Sequence, residues 1–95
     1  MVVSLLHLLI ELPDLGSLKE KRRIVKSLID RSRMKYRISI AEVDLQESLT
    51  FTELGAAYVS NSRRLGESVM NKDLRFVEEN CDGRVQDAEI TSERY

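Results

Sequence analysis

The sequence predicts an α+β domain with elements in the order β-α-β-β-α-β. This gives a four-stranded antiparallel sheet with two helices on one face. Three observations predict it. Residues 2–12 form a largely apolar run rich in β-branched and leucine residues. Two later segments, 17–36 and 62–81, carry apolar residues at helical spacing behind capping residues. No low-complexity stretch or linker divides the 95 residues, a length that supports one core and a single domain over residues 1–95.

The first strand runs from Val2 to Leu12 and is stopped by Pro13, which has no N–H to give to a ladder. Asp14, Leu15 and Gly16 form a loop. Ser17-Leu18-Lys19-Glu20 is a capping box. The Ser17 hydroxyl is placed to accept from the N–H of Glu20, and the Glu20 carboxylate to reach back to the N–H of Ser17. A helix follows from Leu18 to Tyr36, with the stripe Leu18, Ile24, Val25, Leu28, Ile29, Ser32 and Tyr36 turned inward.

Ile38–Asp44 reads as the second strand, Ile38 and Ile40 on one face, Ser39, Ala41 and Val43 on the other. Alternation also puts Glu42 and Asp44 on one face. Residues 45–52 are a polar connection with a bulge or an extended hairpin arm. Glu53–Ser60 is the third strand, and its small Gly55, Ala56 and Ala57 require a close neighbour.

Asn61 and Ser62 cap a second helix from Arg63 to Cys81, with Leu65, Val69, Met70, Phe76 and Val77 on its apolar face. Asp73 falls within that face without a local reason. Gly66 costs this helix up to about 1 kcal/mol relative to alanine. After a turn at Asn80, Asp82 and Gly83, the last strand spans Val85–Glu93, and the tail Glu93-Arg94-Tyr95 is expected to fray. The order is that of a ferredoxin-like sandwich.

In this architecture one sheet face is free of helices and is polar in a monomer. The first strand departs from that rule. Leu6, Leu8, Ile10 and Leu12 form the core parity; Val3, Leu5, His7, Leu9 and Glu11 form the other, which is half apolar. Val3, Leu5, His7 and Leu9 are therefore expected to form an interface, with a second copy of the chain as the favoured cover.

The net charge is −1, but it is unevenly distributed. Nine basic residues against two acidic ones leave residues 18–37 at about +7 and the remainder at about −8. On a helical wheel Lys19, Arg22, Arg23, Lys26 and Arg33 cluster on one flank, with Arg31 and Lys35 on the other. A one-signed flank attracts phosphates, so structured RNA or a ribosomal particle is the expected partner. An acidic protein is the competing one. The bland alternative is a solvated flank paired within the fold, for example with Glu78, Glu79 or Glu89.

The third strand, Leu54-Gly55-Ala56-Ala57-Tyr58-Val59, keeps the glycine, one aromatic and the valine of the RNA recognition motif. Ala56 and Asn61 stand where its other rings belong, and the first strand has none. Base stacking on the sheet is therefore excluded.

Catalytic signatures are absent: no phosphate loop, zinc set or nucleophile elbow, and His7 is the only histidine. No catalytic residue, cofactor, metal or small-molecule substrate is inferred, and the chain is expected not to be an enzyme. Glu42, Asp44 and Glu47 form one acidic cluster, with Glu42 and Asp44 the pair to share a hard cation. Cys81, the only cysteine, permits no intrachain disulfide and reads as an inert, partly buried thiol in a cytoplasmic protein. Residues 1–12 lack the basic region and cleavage site of a signal peptide and are too short to span a bilayer.

Leu12-Pro13, Ser17-Leu18-Lys19-Glu20-Lys21-Arg22-Arg23, Ala41-Glu42-Val43-Asp44, Gln46, Leu54-Gly55 and Phe76-Val77-Glu78 resemble the YlxP-like family (domain of unknown function 503), small bacterial domains without an established activity. The resemblance implies a ferredoxin-like fold. It also implies a link to ribosome maturation or translation, since the family's genes often lie beside those of transcription-termination and ribosome-binding factors. The chain departs from the family at Leu49, usually an aromatic, at Glu47, often aspartate, and at Thr52, often alanine.

Overall fold

The computed structural model describes Met1–Tyr95 throughout. The elements are β1 (Val2–Glu11), α1 (Leu18–Tyr36), β2 (Ser39–Asp44), β3 (Phe51–Ser60), α2 (Arg63–Asn80) and β4 (Arg84–Arg94). The strands form one sheet in the order β2-β3-β1-β4, every pair antiparallel. Both helices cover one face, as expected. Leu6, Leu8 and Ile10 of β1 are buried there with Leu54, Val25, Leu28, Met70 and Val77.

Local signals explain most element boundaries. Ser17 accepts from the Glu20 N–H at 3.2 Å, so half of the capping box forms as expected. The other half shifts by one residue: the Glu20 carboxylate takes the N–H of Gly16, not of Ser17. Arg37 ends α1 in the left-handed conformation and returns its N–H to the Arg33 carbonyl. Ser62 caps α2 by accepting from Leu65. Gly66 is required where α2 crosses β1, because a Cβ there would collide with the Ser4 side chain. The tail does not fray. Tyr95 and Met1 exchange backbone hydrogen bonds, and Ser4 meets Ser92 at 2.8 Å.

A register shift between Glu42 and Asp44 corrects the expected alternation of β2. Glu42 stands opposite Leu54, on the helix side, while Asp44 stands opposite Glu53, on the free side. The extra residue of a bulge separates the two carboxylates, so they cannot share a cation.

Asp73 is fully buried between the helices, and neither carboxylate oxygen completes a hydrogen bond. Burial pushes its pKa up, and the Ser32 hydroxyl offsets this only in part. Its folded pKa therefore exceeds the unfolded value, and the protonated form is the one folding favours. The contribution of Asp73 to stability is most favourable below the ordinary value of 3.8 and is lost as pH rises through the shifted pKa. Asp73→Asn removes that loss. Urea unfolding should find it more stable than the parent by about 1–3 kcal/mol at pH 7, with the gap closing below the unfolded pKa.

Candidate nucleic-acid interface

The outer surface of α1 carries the cations that the sequence singles out, but they do not form one line. Arg22, Lys26 and Arg33 border a groove against β2 that also contains Asp30 and Glu42. Arg23 lies on the opposite shoulder with Arg31, facing the turn after α2. The flank is thus a broad convex arc that positive charge covers from both sides.

Pairing divides these residues. Lys26 lies 2.8 Å from Asp30, and Arg33 lies 3.5 Å from the same carboxylate. The hydrogen bond from Lys26 holds the Asp30 carboxyl below its usual range. Arg33 also donates to the Ile40 carbonyl, tying α1 to β2. Lys35 and Arg31 approach the Phe76 ring, the lysine at 4.9 Å from its centroid. Lys19, Arg22 and Arg23 are exposed and have no carboxylate within 4 Å. Of the five cations expected at the interface, these three are free and two are engaged. The proposed internal acids Glu78, Glu79 and Glu89 pair with none of them.

Charge counting along α1 places Lys21 among the surface cations, and the structure buries it. Only 1% of its side chain is exposed. Its ammonium donates to the carbonyls of Leu45, Gln46 and Phe51 and lies 3.3 Å from Glu42. Thr52 donates to the same Glu42 oxygen at 2.6 Å. Leu45 is held at a φ of 64°, a strained value for leucine, which turns its carbonyl into this cage. The connection 45–50 is therefore folded around one buried ammonium. The available signal is positional: Lys21 shares the inward stripe of Val25, Leu28 and Ser32 at steps of four, three and four. Glu42, a member of the acidic cluster, is neutralised by Lys21 within the groove beside Arg22.

The free face of the sheet matches the strand parity. Val3, Leu5, His7 and Leu9 lie on it, with Leu5 44% exposed. They continue into Val59 and Ala57 of β3 and Ala41 and Val43 of β2; Val43 lies over Gly55, the close neighbour its small size required. His7 Nε2 lies 3.2 Å from the Glu53 carboxylate. On the other side the same face carries Asp87, Glu89 and Glu93 of β4, exposed and unpaired. The β4 side of the face is acidic, and the β2–β3–β1 side is mostly apolar, with His7, Asp44 and Glu53 among the exceptions.

No helix is long and apolar enough to cross a membrane. Cys81 is partly buried, and burial raises its pKa.

Comparison with known proteins is consistent with this geometry. The model of a family described as "Protein of unknown function (DUF503)" matches residues 3–90. A 38% identical match over 65 residues, covering 68% of this chain and 71% of the relative, is an uncharacterized protein YlxP of Bacillus subtilis (strain 168). A de novo designed protein with a ferredoxin fold, solved by NMR, superposes over 98% of this chain and 83% of its own, with a TM-score of 0.56 at 17% identity. A dimeric protein of unknown function and ferredoxin-like fold from Bacteroides fragilis covers 99% of this chain and 96% of its own, at 12% identity and a TM-score of 0.48. The designed protein establishes the likeness of fold alone.

Proposed function

For this chain, which belongs to the DUF503 family of proteins of unknown function, we propose a non-enzymatic binding role: the outer arc of α1 docks on structured RNA, free or in a ribosomal particle, and the free sheet face pairs two copies of the chain. The observation that carries the first part is the freedom of Lys19, Arg22 and Arg23 from every carboxylate of the molecule. Lysines and arginines left unpaired on a convex helix neutralise phosphates at little desolvation cost, because they stay in water until the polyanion arrives. Lys21 supports the arc indirectly by cancelling Glu42. The test is fluorescence anisotropy of a labelled structured RNA with rising KCl. Affinity should fall steeply with salt, and salt-independent or absent binding contradicts the proposal.

The second part rests on the exposed apolar half of the free face. A two-fold axis running along β3 stacks that half on its copy at the usual sheet spacing of about 10 Å. It leaves the acidic β4 column of each copy outside the contact. Leu5→Lys places a charge near the centre of that contact, on a position already accessible in the single chain. Sedimentation equilibrium should find about twice the chain mass for the parent and a single-chain mass for Leu5→Lys. A parent that sediments as one chain at high concentration refutes the pairing without touching the RNA reading.

A further inference from the structure

A cleft of about 260 Å³ opens where α2 ends and α1 continues past it. Its walls are aliphatic: Leu12 from the end of β1, with Ile24 and Leu28 from α1. The far wall is the turn that contains Cys81 and Gly83. That wall lies close against the end of β1: a Cβ on Gly83 would collide with the Glu11 carbonyl, so only glycine fits there.

Its mouth is charged in a particular pattern. Arg23, Ser27 and Arg31 stand four residues apart on the same side of α1. The two guanidiniums are rooted about 12 Å apart along the helix axis, with the uncharged Ser27 midway. Neither has a carboxylate within 4 Å. A single small anion calls for cations that converge on one point. Two cations flanking an apolar slot match a flat ring with apolar faces that has an anion on either side. That is the chemistry of a nucleotide within a chain, with its base between the 5′ and 3′ phosphates.

We propose that this cleft receives one unpaired nucleobase of an RNA bound along α1, with Arg23 and Arg31 holding the phosphates that flank it. The inference rests on the RNA reading above and adds a place where an individual base is recognised. Aliphatic side chains take the part of the rings missing from the sheet, since extruded bases pack on apolar as well as aromatic walls. Asp82 is the one carboxylate at the rim. It accepts from an exocyclic amino group, so cytosine, adenine and guanine are favoured over uracil, which has none.

The test compares two labelled RNAs of equal length: a hairpin with an unpaired cytidine loop and a fully paired duplex. The parent should bind the hairpin roughly fivefold more tightly, the lowest value for a base stacked on an aromatic ring, since the walls here are aliphatic. Ser27→Phe fills the mouth without changing charge, and should bring the hairpin's affinity down to that of the duplex. Its thermal unfolding reports whether the helix is intact. Arg22→Ala, outside the cleft, should weaken both RNAs by the same factor. Equal binding of hairpin and duplex by the parent, or a preference that survives Ser27→Phe in a folded protein, overturns the cleft while leaving the RNA reading in place. Binding of neither RNA removes both. A further arm titrates cytidine 5′-monophosphate against the Leu12 and Cys81 amide resonances. Saturable shifts there, combined with equal affinity for hairpin and duplex, would identify a free nucleotide as the occupant and overturn the RNA form.

Discussion

Lys21→Met should destabilise the fold by about 3–5 kcal/mol, the cost of leaving one partner of a buried ion pair without the other. The substitution keeps the aliphatic stem and removes only the ammonium. Glu42 is then left with Thr52 as its remaining donor, and the carbonyls of Leu45, Gln46 and Phe51 lose theirs. The left-handed conformation of Leu45 is maintained by that cage, so the connection 45–50 should also lose hydrogen-exchange protection selectively. Replacing both members, Lys21→Met with Glu42→Leu, should recover part of the loss, since a buried pair exchanged for apolar groups costs less than a broken one. Urea unfolding of the parent, the single and the double variant provides the cycle. A single variant within about 0.5 kcal/mol of the parent, the range of an ordinary surface change, would show that the ammonium is not held as described.

The second large effect is on binding. Lys19→Ala, Arg22→Ala and Arg23→Ala together remove three exposed cations that pair with no carboxylate, so stability should change little. Each lost phosphate contact lowers the salt exponent by about 0.9. Three of them amount to a loss of roughly 10²–10³ in affinity at 0.1 M salt, if contacts are taken to vanish near 1 M. Lys26→Ala and Arg33→Ala should have smaller effects on RNA, because both residues are already engaged with Asp30. Comparable losses from the paired and the unpaired residues would show that pairing with Asp30 does not matter.

The fold is readable because its determinants are local. Ser17 and Ser62 announce helix starts through a hydroxyl that reaches three residues forward. The two parities of β1 separate a core face from a free one, since successive strand residues point oppositely. What escapes a reading of spacing is non-local. Lys21 sits on the inward stripe of α1, but the carbonyls that satisfy it come from a connection 24–30 residues later, which no spacing rule links to it. Asp73 is likewise visible as a carboxylate on an apolar face, while its position opposite Ser32 depends on how two helices cross. The bulge in β2 adds one residue to one strand and reverses the expected side of Asp44. The division of the basic flank into two shoulders follows from where α2 stops, which is a property of the packed molecule.

The most direct measurement is the slope of log K against log [KCl] for one structured RNA, taken for the parent and for the Lys19, Arg22 and Arg23 triple-alanine variant. If the helix is where the polyanion lies, the parent should show a slope of about −3 or steeper, and the variant a slope shallower by nearly 3. Parallel lines for the two proteins, whatever their absolute affinities, would mean that phosphates are neutralised somewhere other than α1.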